Sequence, residues 1–403
     1  MIKSYLLMLL QCIVCITCSV AQNEQNFWYF GEHAGMDFNS GAPVALMNSA
    51  MTTTEGCSVI SDIDGNLLFY TNGETVWNKN HAQMPNGFGL LGGFSSSQSA
   101  IIIPLPGSTT TFYIFTVGQT GGTFRYSIVD LTLQGGLGDV TTKNVLIHNT
   151  VAEKITAVQN ANGTDVWVIA HSLNTAAFYV APFTSAGVGT LITSTTTGPN
   201  PGGINKWTGC MKTSQDGSKL AMTNYALFSC DVFDFDNTTG AFTFSFTYSP
   251  GPGFYAYGVE FSRDGSRLYI GNVDYMPGQI YQLDMTAGTA ADIIASATLV
   301  ANSNLLFFGA LQLAPDDKIY VSRWADTFLG VINDPAAIGT ACNYVDQGFN
   351  LAPKYGWLGL PGFVAKGTSV ALPAFSAVDS SICEKFCTGF FDSSTNNPTS
   401  WQW

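Results

Sequence analysis

YGVEFSRDGSRLYIGNVDYMPGQIYQLDMTAG, residues 257–288, reads as three to four short strands on tight turns. Gly258–Ser262 alternates small or apolar with polar residues, Asp264-Gly265 makes a turn, and Arg267–Gly271 alternates again. A loop leads to Ile280–Asp284, and Thr286–Gly288 turns the chain away. A small antiparallel sheet of this kind cannot cover its own apolar faces, so it must stack against others like it.

The rest of the chain supplies those others. First strands recur at Gly56–Ser61, Ser99–Ile103, Thr156–Gln159, Gly209–Thr213, Gly258–Phe261 and Gly309–Leu313. Turns follow them at Asp64-Gly65, Pro106-Gly107, Asn162-Gly163, Asp216-Gly217, Asp264-Gly265 and Asp316-Asp317. A seventh first strand, Gly359–Val364, has no second strand after it. The starts are 43, 57, 53, 49, 51 and 50 residues apart, a spacing that fits a propeller blade. At the other end Asn26–Gly31, Ala34–Phe38 and Pro43–Leu46 lack a first strand of their own. Pairing the two incomplete ends closes a ring, so the expected fold is all-β, a seven-bladed β-propeller closed by N- and C-terminal strands. Such closure removes the bare sheet edge of an open stack. Six or eight blades, or an array of two-sheet sandwiches, are the alternatives.

Met1-Ile-Lys3, the apolar run Tyr5–Val20 and the small residues Ser19-Val-Ala21 read as a secretory leader over residues 1–21. The propeller is expected over residues 22–370, and a linker with a second domain over 371–403. The full chain carries a net charge of −13, and the leader holds one Lys and no acid, so the remainder carries −14. Only 11% of residues are charged, while Gly and Phe number 42 and 28. An acidic, weakly charged chain lacks the basic patch that nucleic acid or anionic lipid requires. No segment after the leader is long and apolar enough to span a bilayer. The product is expected to be secreted or at the cell surface, and the propeller monomeric. Six cysteines lie beyond the leader, of which Cys210 with Cys230 and Cys383 with Cys387 are the disulfide candidates for an exported protein.

Phe27–Gly31 with Ala34–Phe38, Val76–Asn78 with Met84–Gly87, Ser97–Ser99, Glu153-Lys154 and Asp165–Trp167 resemble the propeller region of large secreted Bacteroidetes surface proteins. The resemblance covers roughly residues 26 to 370. It implies that PKD domains follow and that the chain ends in a type IX secretion sorting domain of the gliding-motility kind. Phe390–Trp403 resembles the opening of a PKD domain, an Ig-like β-sandwich, which breaks off at the last residue; the sequence is therefore expected to be a fragment. The resemblance brings no catalytic residues with it.

Asp62-Ile-Asp64-Gly65-Asn66 has the carboxylate spacing of a hard-cation loop, but the terminal Glu of a twelve-residue calcium loop is missing, and a hairpin turn explains the same residues. No cofactor is expected, calcium being the one weighed. No Gly-x-Ser-x-Gly elbow, His-Glu-x-x-His or phosphate loop occurs, and the four histidines are scattered.

In a propeller, the loops entering first strands and those joining second to third strands converge on one face. Here they carry Glu55, Gln98, Glu153, Lys154, His171, Trp207, Tyr257, Arg323, Trp324 and Trp357, the candidate ligand-binding residues. Aromatics mixed with carboxylates and amides suit stacking on and bonding to a glycan or an extracellular protein. The expected role is a non-catalytic binding or adhesion module. A propeller hydrolase, lyase or lactonase with a site in the central channel is one alternative, and a structural spacer the other.

Overall fold

A computed structural model describes residues 23–119, 122–200, 208–274, 277–303, 307–366, 375–377 and 390–392. Within the compact unit Asn23–Thr368 the described residues form seven sheets, each a blade built from consecutive antiparallel hairpins, with one parallel strand added to the fourth. Blade 1 has three strands, Phe27–Phe30, Ala34–Asp37 and Val44–Leu46. The first strands of blades 2 to 7 are Ser58–Ser61, Ala100–Pro104, Val151–Gln159, Met211–Thr213, Ala256–Phe261 and Phe308–Leu313. Burial falls from the inside of a blade outward. In blade 7 the first strand is wholly buried, whereas the fourth, Tyr344–Asn350, alternates between half-buried and exposed.

The stretch at 257–288 is most of blade 6: Ala256–Phe261, Arg267–Asn272 and Gly278–Asp284, with a fourth strand at Thr298–Ser303. Its first turn shows why the Asp-Gly pairs recur. Ser262 Oγ and Ser266 N both donate to the Asp264 carboxylate, at 2.6 and 3.1 Å, and Gly265 takes a φ of +69°, which a side chain would disfavour. In blade 2 the acceptor is instead Asp62, two residues before the Asp-Gly pair: the amides of Asp64 and Asn66 donate to it, so that carboxylate is engaged by its own turn.

The core is divided into apolar layers between neighbouring blades. One joins blades 4 and 5, where Phe178 meets Phe233 edge-on at 4.9 Å and stacks on Phe242 at 4.1 Å. In another, Trp28 of blade 1 is fully buried against Tyr320 of blade 7, 5.6 Å between centroids, and Phe363 at 6.0 Å.

Ring closure joins the two ends of the chain, as the sequence indicates, but the bonding differs from a simple added strand. Glu32 N donates to Tyr355 O at 2.9 Å. The segment that follows, residues 356–365, bonds sideways to first strands and their entries instead of forming a ladder with blade 1. Leu358 N donates to Thr54 O (2.9 Å), Ala310 N to Leu358 O (2.7 Å) and Gly362 N to Cys57 O (2.9 Å), while Val364 pairs in parallel with Ala157. Pro361 has no N–H for a continuous ladder. Side-chain packing of Phe363 on Trp28 holds the segment, here called the strap, in the inner position of blade 1.

The Cys210–Cys230 bridge expected from sequence does not form: Cys57, Cys210, Cys230 and Cys342 are free, buried thiols. Cys210 lies across the second strand of blade 5 from Cys230, its amide bonded to Thr223, whose register partner on the other side is Cys230. Two strand spacings amount to about 10 Å, beyond the reach of a disulfide. Cys383 and Cys387 lie outside the described residues, as does the expected leader. Of the expected PKD-like sandwich, only a pair of three-residue strands, Phe375–Ala377 and Phe390–Asp392, is described, running antiparallel. No helix of the described residues is long and apolar enough to cross a membrane.

Candidate active site

First strands enter the ring at one end, and their entry residues meet around the mouth of the central channel. Glu55 precedes the first strand of blade 2, Ser95 and Ser97 that of blade 3, and Glu153 and Tyr257 sit near the start of those of blades 4 and 6. Glu153 is 6% exposed and accepts bonds from both the amide and the hydroxyl of Ser97, each at 3.4 Å. The Ser97 hydroxyl in turn accepts from Gly209 N at 3.1 Å, tying blade 3 to blade 5.

Glu55 receives one bond, 3.4 Å from Ser95 Oγ to its Oε1, while its Oε2 is buried without a partner. Tyr257, 1% exposed, lies beside it, and its hydroxyl, which has no partner of good hydrogen-bond geometry, still acts on the Glu55 carboxyl to hold it down against the burial. Burial pushes the Glu55 carboxyl from its ordinary 4.5 up to about 8, with the negative charge of Glu153 adding to the rise. Burial, and then the charge of Glu55, holds the Tyr257 phenol well above its ordinary range. At neutral pH the mouth therefore presents a protonated carboxylic acid beside a neutral phenol.

The strap fixes Glu55 from below. Leu358 N bonds the carbonyl of Thr54, and Gly359 passes so close to Glu55 O that an added Cβ would stand 1.6 Å from it. Beneath the mouth the channel is filled by polar side chains on first strands. Lys212 pairs with Glu260 at 3.1 Å and donates to Gln312, and Glu260 also accepts from Leu313 N at 3.1 Å. Gln98 clasps the backbone of Met211 through both ends of its amide, at 2.8 and 3.0 Å. The cavity left among these groups is about 20 Å³, room for one water.

Other residues read from the sequence as face residues serve the scaffold. Lys154 is fully buried and donates to Thr223 O at 2.5 Å and Asn224 Oδ1 at 3.4 Å; Asn224 bonds Asp231 at 2.7 Å. Burial lowers the Lys154 ammonium to about 8, opposed by Asp231. His171, 1% exposed, donates through Nδ1 to Ser172 O at 2.7 Å, and burial and the Lys154 charge bring it down to about 3, so it is neutral. Arg323, also buried, pairs with Asp326 at 2.8 Å and with Asp346, fastening blade 7 to itself. Trp324 and Trp357 pack edge-on to one another at 4.8 Å. Trp207 lies outside the described residues.

Structure thus brings Glu55, Glu153 and Tyr257 together and disperses the rest. Sequence reasoning missed Ser95, Ser97 and the Lys212–Glu260–Gln312 group. The polar run Ser95–Ser99 before a first strand, and charged residues at inward positions of first strands, were the available signals. Among the described residues no cluster of three or more His, Cys, Asp or Glu stands in metal-binding array.

No protein-family model and no curated protein matches the chain. Solved structures do. A protein from Lactobacillus plantarum shares 14% identity over 84% of this chain and 99% of its own, with a TM-score of 0.55. A proposed 6-phosphogluconolactonase from Bacteroides uniformis shares 11% over 81% and 99%, TM-score 0.47, and the periplasmic gluconolactonase of Pseudomonas aeruginosa 13% over 80% and 97%, TM-score 0.47. The expectation of a non-catalytic adhesion module does not stand. Of the three tryptophans expected to stack on a glycan, the two described, Trp324 and Trp357, pack edge-on against one another. At these identities the likeness shows the fold, and the fold is a seven-bladed β-propeller.

Proposed function

We propose that the chain is a propeller hydrolase of the lactonase class, acting at the channel mouth with Glu55 as its acid–base group. The observation that carries this reading is the unpartnered, buried Oε2 of Glu55 set beside the Tyr257 hydroxyl and the Glu153 carboxylate. A buried polar atom without a partner costs about 1–3 kcal/mol, and such a cost is tolerated where a substrate will supply the bond. The lactonase-type neighbours agree in architecture alone; the chemistry of the mouth supports the class.

In a cyclic ester bound there, water adds to the carbonyl carbon while the acyl bond to the ring oxygen breaks. Glu55 hands its proton to the departing oxygen and is reprotonated by the one that the water loses. Tyr257, held neutral, donates to the carbonyl oxygen as charge builds on it. Glu153 does not touch the substrate in this scheme; it keeps Glu55 protonated.

Hydrolysis of glucono-1,5-lactone by the full chain, followed as acid release above the spontaneous rate, tests this. Glu55→Gln should lower the rate by about 10²–10⁴. The wild-type rate should fall as pH rises through about 8, where Glu55 loses its proton. A Glu55→Gln enzyme as fast as wild type would end the proposal.

A further inference from the structure

Building on the site proposed above, we infer that its lactone carries an alkyl chain, which lies along an apolar track running over blade 2 from the mouth to the rim. The track is the connection from the fourth strand of blade 2, Gln83–Phe88, to the first strand of blade 3. Its backbone crosses blade 2 from the outermost strand to the innermost. Leu90 N donates to Glu74 O at 3.1 Å, beside the third strand Thr75–Asn78, and Gly92 N to Gly73 O at 2.9 Å, beyond the second strand Leu67–Thr71. Phe94 O accepts from Thr54 N and Glu55 N, each at 3.2 Å, at the entry to the first. The hydroxyls of Thr53 and Thr54 donate to the same carbonyl at 3.1 and 2.9 Å, and Phe94 N donates to the Glu74 carboxylate at 3.3 Å. At the outer end the Asn144 side chain bonds Leu91 N and Gly89 O, at 3.0 and 2.9 Å, and Lys143 lies 4.4 Å from the centre of the Phe88 ring.

A loop held at so many points fixes where its side chains stand. Leu90 is buried in the blade, whereas Phe88, Leu91 and Phe94 are 51, 47 and 47% exposed. Three large apolar side chains kept in water within seven residues, on a backbone without slack, mark a surface that a ligand covers. The innermost belongs to the residue whose carbonyl is bonded by Glu55 N and whose neighbour Ser95 bonds the Glu55 carboxyl, so the track starts where the acyl bond is to break. Three strand spacings, about 14 Å, carry it to the rim. Its length and narrowness fit a single alkyl chain leaving the lactone ring.

Direct binding tests this separately from turnover. The 1,5-lactones of 5-hydroxyalkanoic acids, with side chains of one, three, five and seven carbons, are titrated in fresh solution by calorimetry into the full chain carrying Glu55→Gln. Affinity should rise about twofold for each methylene, less than full burial would give because one side of the chain stays in water. Leu91→Ser, added in the same background, should flatten the rise for the two longest side chains, and Phe94→Ser should flatten it from the shortest onward. An affinity indifferent to chain length overturns the inference, as does a rise that both variants keep or a failure of the whole series to bind. Sedimentation of the full chain with phosphatidylcholine vesicles, lost in Leu91→Ser, would give the strip to a lipid surface and overturn it too. A rise with chain length but no hydrolysis of any member by the wild-type chain would keep the track and remove the proposed reaction; hydrolysis without the rise would do the reverse.

Discussion

Glu55 carries a cost in the folded chain that depends on pH. Its carboxyl is raised from 4.5 to about 8, so between those values the folded state holds a proton that the unfolded state has lost. Stability therefore declines as pH climbs through that window, and the loss is complete above about 8. Glu55→Gln removes the ionisation. It should leave the protein unchanged at pH 4, yet at pH 9 stabilise it by roughly 1–3 kcal/mol, a value reduced from the full shift because the side chain is only partly shielded. Urea unfolding at the two pH values checks this, and equal curves for both proteins at pH 9 would show that Glu55 is not strained. The sequence placed Glu55, Glu153 and Tyr257 on the ring face because entry loops converge there in any propeller. It did not separate them from Lys154, His171 and Arg323, because a polar residue at a blade entry can point to the mouth or sideways between blades. That choice is made by three-dimensional partners such as Thr223, Asn224 and Asp346.

Among the elements, the strap is the one whose loss reaches the site. Gly359 touches the Glu55 carbonyl so closely that Gly359→Ala must displace either the strap or the 54–57 loop. The substitution should cost about 2–4 kcal/mol and lower the lactone hydrolysis proposed above more than substrate binding, since Glu55 would move while the rest of the mouth stays in place. Retention of wild-type kcat would mean that the strap closes the ring without positioning the acid. First strands were legible because each pairs an alternating run with an Asp-Gly-type turn, and the predicted starts fall close to the observed ones. The exception is blade 4, whose first strand begins at Val151, five residues before the predicted Thr156. Glu153 and Lys154 fall in that extension, an interblade seam where polarity does not alternate. The strap was recognised as a strand, yet its partners were not, since sideways bonds to blades 2, 4 and 7 leave no register in the sequence.

In the molecule as a whole, stability is distributed over layers between blades, and Trp28 joins the two ends of the ring through Tyr320 and Phe363. Trp28→Ala should cost about 3–5 kcal/mol in equilibrium unfolding, as for other wholly buried aromatics. A cost below about 1 kcal/mol would mean that closure does not depend on this contact. The blade count was readable because a repeat near 50 residues has few other solutions. The chemistry was not, because it arises where four blades and the strap meet, between residues more than 200 positions apart. The pairing of Glu32 with Tyr355 also sets a timetable. A ribosome adding about 5–20 residues per second delivers the far partner of blade 1 some tens of seconds after blade 1 itself. Until then blade 1 stands open, and Glu55 lacks the backbone that holds it. A chain interrupted before the strap would carry Glu55, Glu153 and Tyr257 without the backbone that sets Glu55, so the site is completed only by the last-made part of the ring.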